Sequence, residues 1–309
     1  MPTAKMFYLH ALSPLHVGAG RGLGYIDLPI VREKVTNYPY VPGSSVKGVI
    51  SEHCGASATV EKDDGKGGIK RESVRNDNPE WKIAFGISHN DTANSGSLVF
   101  TDARLLCLPV RSLYGTFAWA TSPTVLKRFA RDLSTTKDTK ESEKSALTVN
   151  DEQALIIADS VLAKDQKIYL EDLDLVAAQN DAAPKWADFL ATRIFSADEQ
   201  NDFKQRFVIL SDDVFNFLAE TGTEVSSHIK IDDKQKTAQG GALWYEEALP
   251  AETILAGVVW CDKVYDDAVS ADYLLKEYAQ SRDHLQFGGK ATTGKGIVRF
   301  ISAPVEGGK

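Results

Sequence analysis

The sequence predicts an α+β fold, and three observations support it. Strand-like and helix-like segments are mixed along the chain without a regular β-α-β alternation, which argues against a doubly wound parallel sheet. The composition, 43% hydrophobic and 25% charged, is typical of a folded chain with a core. No internal repeat of solenoid period is present. A length of 309 residues allows two domains, or one domain with large insertions.

The first half of the chain predicts short strands separated by loops and two helices. Ser13-Pro14 ends the first strand, and a serine N-cap is expected where Pro42–Ser45 opens a helix through about Cys54. Ser122 before a proline marks the second helix start. The predicted segments are a strand at 7–12, a glycine-rich loop at 18–24, a polar insertion with little regular structure at 55–96, and a strand at 98–109.

The second half begins with a charged linker at 133–153 and then returns to regular patterns. Two segments separated by eight polar residues predict a long β-hairpin, with strands at 225–231 and 241–249. The other predicted elements are strands at 168–175, 206–210, 253–260 and 297–302, helices at 183–204, 211–220 and 270–281, and a glycine-rich loop at 288–296.

The net charge of −8 is unevenly distributed along the chain. Residues 159–224 hold 14 acidic and 6 basic residues, a net of −8, so the remainder sums to zero. Residues 1–50 carry five basic against two acidic residues, and residues 282–299 carry four against one. Because a phosphate backbone responds to the local field, the acidic total does not exclude an RNA partner.

Several protein classes are excluded by their missing signatures. The longest apolar run, 253–260, is strand-sized, and the N-terminus has no signal-peptide pattern, so a membrane protein is not expected. Three distant cysteines predict a reduced, cytoplasmic protein without a disulfide framework. The six histidines show no metal-binding spacing, and no nucleophile elbow is present, which argues against zinc enzymes and ordinary hydrolases.

The glycine-rich segment from His16 to Ile30 presents one carboxylate, Asp27, between glycines and a proline. It contains the letters of a dinucleotide-binding motif in shifted form, but no β-α-β unit follows, as that motif requires. One interpretation is a loop that presents a catalytic carboxylate. The alternative is that Asp27 is an ordinary turn or capping residue.

Two further segments have features of a phosphate-binding site. Ser44, Ser45 and Lys47 lie at a predicted helix start, where free N–H groups and the helix dipole favour anions. The alternative there is a capped helix with a solvated lysine. The loop at 287–296 has four glycines with Lys290 and Lys295, but it lacks the hydroxyl residue of a P-loop and precedes a strand. It suits close approach to a sugar-phosphate chain, or it is a plain surface loop.

Taken together, four blocks resemble the RAMP superfamily of CRISPR effector subunits, and most of all the backbone subunits of type III-B (Cmr) complexes. The hairpin with the following Gly241–Pro250 segment resembles that family's thumb. Singly the blocks are weak, but their order along the chain is specific. The blocks are His16-x-Gly18 through Ile26-Asp27-Leu28-Pro29-Ile30, Pro42-Gly43-Ser44-Ser45-x-Lys47-Gly48, Gly96 to Ser112, and Gln286 to Gly296.

The resemblance implies a fold and an assembly. The expected fold is a single domain over 1–309 with a modified RRM or ferredoxin-like palm, an inserted lid at 55–96 and a β-hairpin thumb at 223–250. Copies of the chain would stack into a helical filament along the crRNA, together with other Cmr subunits and the complementary target RNA. One departure is that Ile50-Ser51-Glu52 stands where the family usually carries an arginine.

The resemblance also implies a ribonuclease chemistry. Asp27 corresponds to the family's catalytic aspartate, and the resemblance implies that it is a weak ligand of Mg²⁺ or Mn²⁺. It would assist in-line attack by a 2′-OH of the target RNA, which is cleaved at regular intervals. His16, Tyr245 and Glu246 are possible assistants. The alternatives are a crRNA-binding scaffold that does not cut, and a stand-alone small-molecule enzyme. The implied RNA-binding residues are Arg21, Ser44, Ser45, Lys47, Arg111, Gly288, Gly289, Lys290 and Lys295.

Overall fold

The computed structural model describes most of the chain. The described residues are 4–22, 24–55, 58–63, 69–74, 78–87, 94–136, 147–231, 238–264 and 269–302. Within them, no helix is long and apolar enough to cross a membrane.

The described helices are short to medium in length, and serine caps three of them. The hydroxyl groups of Ser122, Ser211 and Ser270 accept a backbone N–H three residues further along. The helices are α1 (Gly43–Cys54), α2 (Pro79–Phe85), α3 (Pro123–Leu133), α4 (Ala182–Ile194), α5 (Gln200–Arg206), α6 (Asp212–Thr221) and α7 (Ala271–Tyr278).

The described strands carry most of the core. They are β1 (Ala4–Ala11), β2 (Tyr40–Val41), β3 (Ala58–Asp63), β4 (Ile69–Val74), β5 (Gly86–Ile87), β6 (Asn94–Ser95), β7 (Leu98–Phe100), β8 (Ala103–Arg111), β9 (Phe117–Thr121), β10 (Gln153–Ile156), β11 (Ala163–Lys164), β12 (Lys167–Leu170), β13 (Leu173–Gln179), β14 (Phe207–Leu210), β15 (Glu224–Ile231), β16 (Ala238–Ala248), β17 (Ile254–Cys261), β18 (Arg282–Gln286) and β19 (Ile297–Ser302).

One large mixed sheet organises the molecule, in the order β11-β12-β13-β10-β14-β9-β8-β17-β1-β19-β18. Strand β1 lies inside it, antiparallel to both β17 and β19, with Leu9 opposite Leu255 on one side and Phe300 on the other. The parallel pairs are β10 with β13 and β14 with β9. Because helices and strands are mixed around this sheet, the predicted α+β class is confirmed.

Both faces of β1 are buried, which its near-continuous apolar sequence requires. On one face Phe7 stacks on Phe300, with ring centroids 5.4 Å apart. On the other face Tyr8 lies beside Phe129 of α3, and the ring of His10 packs edge-on against Phe195. Helix α3 therefore covers the sheet on the Tyr8 side, and the loops at the strand ends are left to form a site.

Strands β15 and β16 form the predicted hairpin, paired antiparallel with Ser227 opposite Tyr245. Because alternate residues of a strand point to opposite faces, one face of the hairpin collects the exposed apolar side chains. These are Val225, Ile229, Leu243 and Tyr245; Ile231 is also exposed, but it lies beyond a register shift in the pairing. The other face carries Trp244 and Glu246 toward the body of the protein. The role of this hairpin as a thumb stays a prediction.

Several local expectations are wrong, among them the single helix expected at 183–204, which is divided into α4 and α5. Residues 55–96 contain regular structure, since β3 and β4 pair with each other and α2 follows. Residues 56–57, 64–68, 75–77 and 88–93 of this predicted lid lie outside the described part. The N-cap residue of helix α1 is Pro42 and not a serine, and the carboxylate of the distant Asp102 accepts the Gly43 N–H at 2.8 Å. The single strand expected at 168–175 is instead a β-hairpin of β12 and β13, with Glu171 at positive φ in its turn.

Candidate nucleic-acid interface

Three segments that are distant in sequence meet at the end of the sheet where β1 finishes. Leu15, just after β1, exchanges backbone hydrogen bonds with Leu249, which follows β16. The Gly289 N–H donates to the carbonyl of His16 at 2.9 Å, and the Gly296 N–H donates to that of Pro14 at 2.8 Å. The glycine-rich loop before β19 therefore rests directly on the loop that leads to Asp27.

Asp27 lies exposed at the centre of this junction. Its Oδ2 atom accepts the backbone N–H of Tyr245 at 2.8 Å, and its carbonyl accepts the N–H of Gly22 at 3.0 Å. The next residue, Leu28, donates its N–H to the carbonyl of Tyr245 at 3.1 Å. One carboxylate oxygen is thus held by the hairpin, and Oδ1 has no hydrogen-bond partner among the described residues. This arrangement presents a fixed carboxylate to solvent.

Close backbone approach explains why glycines surround His16. A Cβ on Gly288, whose φ is +69°, would lie 2.2 Å from the carbonyl oxygen of His16. A Cβ on Gly18 would lie 2.9 Å from Nε2 of the same histidine. The imidazole is buried, and its Nδ1 lies 2.6 Å from the carbonyl oxygen of Glu247. Since a carbonyl can only accept, Nδ1 carries the proton and only Nε2 is left for a substrate.

Glu246 is buried on the inner face of the hairpin and is surrounded by donors. Its Oε1 lies 2.5 Å from Nζ of Lys290 and accepts the indole N–H of Trp244 at 2.7 Å. Burial alone would raise the pKa of this carboxyl, but the hydrogen bonds from Lys290 and Trp244 outweigh it and hold the pKa below its ordinary value. Glu246 is therefore an ion-paired carboxylate and not a free base.

The two lysines of the glycine-rich loop point toward that carboxylate. Lys290 is about a third exposed at 32%, whereas Lys295 is only 12% exposed, and its Nζ lies 3.9 Å from Oε2 of Glu246. The Nε2 atom of His228, which stacks on Trp244, lies 3.5 Å from the same oxygen. This cluster fastens the glycine-rich loop to the hairpin, and Lys290 is the lysine that can also reach solvent.

The remaining predicted RNA-binding residues lie in other places. Arg111, at the end of β8, is exposed at the same end of the sheet as Asp27, because His10 and Cys107 both pair with Ile254. Helix α1 starts beside Asp102, at the opposite end of β8. At 3.4 Å per residue, β8 spans about 27 Å from Ala103 to Arg111. Ser44 is exposed there, Ser45 is half-buried, and partial burial lowers the pKa of Lys47.

The structure thus brings some predicted residues together and separates others. Those at the junction are His16, Asp27, Tyr245, Glu246, Gly288, Gly289, Lys290 and Lys295. Arg21 is exposed in the same glycine-rich arm as Asp27, and Arg111 and the α1 residues lie apart. Sequence reasoning did not find Glu247 and Trp244. Alternation along β16 places Trp244 on the inner face together with Glu246. Glu247 has the parity of Tyr245, and it is buried because the segment after Asp27 covers the base of the hairpin there.

A divalent cation has one protein ligand available here. No three histidine, cysteine, aspartate or glutamate side chains among the described residues are grouped closely enough to hold an ion. Asp27 offers a single unengaged oxygen. That donor set fits the way Mg²⁺ binds when one or two carboxylates are joined by substrate phosphates and water.

Comparisons with known proteins agree over nearly the whole chain. A family model described as the RAMP superfamily matches residues 8–299, which include every motif block quoted above. The CRISPR system Cmr endoribonuclease Cmr4 of Pyrococcus furiosus is 32% identical over 299 residues, covering 96% of this chain and 94% of the relative. The CRISPR system CMR subunit Cmr4 of Saccharolobus solfataricus is 25% identical over 315 residues, covering 96% of this chain and 95% of that protein. The solved structure of oligomeric Cmr4 from Pyrococcus furiosus has a TM-score of 0.73 at 26% identity, covering 99% of this chain and 100% of that chain.

Proposed function

Because the chain belongs to the RAMP superfamily, as its motif blocks predict, we propose that it is a backbone subunit of a type III-B CRISPR effector. The subunit binds crRNA together with further copies of itself and other Cmr subunits, and it acts as an endoribonuclease on complementary target RNA. The 32% identity to a relative named as an endoribonuclease supports the activity. Three unpaired cysteines support a cytoplasmic location.

The observation that carries this proposal is the exposed Asp27 carboxylate, fixed by the backbone of the hairpin. A ribonuclease that uses the 2′-OH of its substrate needs few protein groups, because the nucleophile is supplied by the RNA. In the proposed step the 2′ oxygen forms a bond to phosphorus while the bond from phosphorus to the 5′ oxygen breaks. A proton leaves the 2′-OH and another reaches the 5′ oxygen, which yields a cyclic phosphate and a 5′-hydroxyl end.

Asp27 accepts or orients the proton of the 2′-OH in this proposal. Its position is set before RNA arrives, because Tyr245 and Gly22 already hold it from two sides. His16 is limited to its Nε2 atom, and Glu246 is occupied by Lys290. Tyr245 contributes its backbone amide, and its exposed side chain lies on the apolar face of the hairpin, where an unstacked base would contact it.

We also propose that Mg²⁺ or Mn²⁺ takes part. Asp27 would hold the ion by its unengaged oxygen, with phosphate oxygens and water as the other ligands. Bound there, the ion would neutralise charge that develops on the phosphate.

The proposed RNA path uses the predicted binding residues at both ends of β8. Arg21, Arg111, Gly288, Gly289 and Lys290 would contact RNA near Asp27, and Lys295 would act through the glycine-rich loop that it fastens. Ser44, Ser45 and Lys47 would hold a phosphate at the start of α1, beyond the other end of β8. In this proposal residues 1–309 form one domain, with a lid at 55–96 and a thumb at 223–250.

The test uses labelled target RNA and the complex reconstituted with crRNA. Wild type, Asp27→Ala and a control, Asp181→Asn, are compared on a sequencing gel with Mg²⁺ or Mn²⁺. Asp181 is also exposed, but it lies at the start of α4, away from the junction. We expect a regularly spaced ladder from wild type and from the control, and none from Asp27→Ala.

Each other result has a definite meaning. An unchanged ladder from Asp27→Ala would move catalysis to other residues or subunits. The absence of a ladder from wild type, with target binding intact, would leave the chain as a guide-RNA scaffold that does not cut.

A further inference from the structure

Glu247 is a buried carboxylate for which the sequence suggests no function. It is 3% exposed and lies near the end of β16, two residues after Tyr245. A carboxylate so deeply buried is costly unless donors surround it, so its partners indicate its role. They come from the segment that follows Asp27, from His16, and from the base of the hairpin.

Both carboxylate oxygens of Glu247 accept hydrogen bonds. Oε2 accepts the backbone N–H of Ile30 at 3.0 Å. Oε1 accepts from the guanidinium of Arg32 at 2.6 Å and from the hydroxyl of Thr223 at 2.9 Å. Arg32 in turn donates to the carbonyl of Ala219 at the end of α6. The carboxylate therefore ties the segment 28–32, which follows Asp27, to the base of the hairpin.

The backbone of Glu247 contacts the same segments. Its N–H donates to the carbonyl of Leu28 at 3.0 Å, and its carbonyl accepts from Nδ1 of His16 at 2.6 Å. Leu28, which directly follows Asp27, is thus hydrogen-bonded to the backbone of Glu247. Ile30, three positions after Asp27, is hydrogen-bonded to the Glu247 side chain. Pro29 between them has no N–H, but its carbonyl accepts the N–H of Ala19 at 2.9 Å, so Glu247 and the glycine-rich arm hold this segment together.

We propose that Glu247 is a positioning residue that sets the location of Asp27 for cleavage. The inference rests on the proposed function, since it takes Asp27 as the catalytic group. Glu247 does not touch the reacting atoms. It acts by fixing residues 28–32, because a displacement of about 1 Å in a catalytic group can lower a rate on the order of a hundredfold.

The decisive variant is Glu247→Gln, which keeps the size of the side chain. Three donors face the two carboxylate oxygens, and an amide has only one oxygen. Its NH₂ group must therefore face Ile30 on one side or Arg32 and Thr223 on the other, so at least one donor loses its acceptor. The matched control is Asp132→Asn in α3, which removes the charge of a partly buried aspartate paired with Arg104 at 2.9 Å, at the far end of β8 from Asp27.

The variants are compared in the reconstituted complex by single-turnover cleavage at saturating target and by target affinity. For Glu247→Gln we expect a cleavage rate about tenfold to a hundredfold lower with target affinity within about threefold of wild type. Amide hydrogen exchange should rise in the peptide that contains Leu28 to Arg32. Asp132→Asn should change neither the rate nor exchange in that peptide.

Two outcomes would overturn the proposal. One is a wild-type cleavage rate in Glu247→Gln, and the other is a rate loss matched by Asp132→Asn without faster exchange at Leu28 to Arg32. If Glu247→Gln does not assemble, Arg32→Lys decides. It leaves the carboxylate in place and removes the planar guanidinium that bonds Glu247 with one nitrogen and the carbonyl of Ala219 with the other. A wild-type rate in that variant would equally reject the proposal. A wild-type complex that does not cleave would instead reject the proposed function itself.

Discussion

The backbone amide of Tyr245 holds the carboxylate of Asp27, at 2.8 Å, across 218 residues of sequence. The side chain that the family resemblance implicates in catalysis is thus fixed by a hydrogen bond to the main chain of the hairpin. A main-chain donor cannot be removed by a side-chain substitution, so the chemistry of Asp27 can be tested without moving its support.

Asp27→Asn should separate catalysis from stability. The amide oxygen can still accept the Tyr245 N–H, and the side chain is exposed, so the free energy of unfolding should change by less than about 0.5 kcal/mol. Cleavage should fall by a factor of about a hundred or more, because the proton acceptor is lost. Thermal unfolding and the cleavage assay together check this. A drop in melting temperature that accompanies the loss of cleavage would contradict it.

Glu246→Gln should destabilise the chain, because Lys290 and the buried Lys295 lose their shared counter-charge. Breaking such a pair costs about 3 kcal/mol. The pKa of Glu246 is held below its ordinary value of 4.5 in the folded state, so this stabilisation is present above pH 4.5 and is lost as the pH falls through the lower folded-state pKa. The difference in unfolding free energy between wild type and variant, measured from pH 7 to pH 3, should therefore shrink below about pH 4.5. A difference that is constant over this range would show that the pair is not responsible.

Gly288→Ala should disturb the junction more than its backbone conformation alone explains. The new Cβ would lie 2.2 Å from the His16 carbonyl, and φ is +69°. Gly294→Ala is the matched control, because its φ is +80° but nothing lies within 4 Å of the new Cβ. The control should lose about 1 kcal/mol from the left-handed backbone, and Gly288→Ala should lose clearly more in thermal unfolding. Equal losses would mean that the glycine-rich loop does not press on His16.

Lys47→Ala should weaken RNA binding in a salt-dependent way. If Lys47 contacts one phosphate, its removal should reduce the slope of log affinity against log salt by about 1. Lys204→Ala on α5, whose lysine pairs with Asp188, serves as the control and should leave that slope unchanged. Unaltered affinity of Lys47→Ala across salt concentrations would show that the start of α1 is not a phosphate site.

Local chemistry made parts of the fold predictable. Ser122 and Ser211 accept hydrogen bonds from the first turns of α3 and α6, as their sequence positions predict, because a cap and its partner are three residues apart. The start of α1 could not be predicted in this way, since its acceptor, Asp102, lies 59 positions away. Strand β10 was missed because it follows a charged segment that reads as a linker.

The site residues likewise divide into those that the local sequence predicts and those that depend on contacts between distant segments. Glycine spacing and a lone aspartate marked the junction, because close backbone approach leaves a trace in residue type. The pairing of Glu246 with Lys290 left no such trace, since it depends on how the hairpin folds back onto the body. Glu246 therefore looked like a possible base, and the structure shows it bound within an ion pair.

The position of β1 has a consequence for synthesis of the protein. Its two neighbours in the sheet, β17 and β19, are synthesised near the end of translation. Strand β1 therefore has no pairing partner while about 250 further residues are synthesised. At about 5–20 residues per second this takes on the order of ten seconds to a minute. Throughout that time an apolar strand with two unpaired edges is exposed to other nascent chains. The junction around Asp27 is consequently among the last parts to form, and a chain that stops before residue 290 lacks most of the glycine-rich loop that contacts His16.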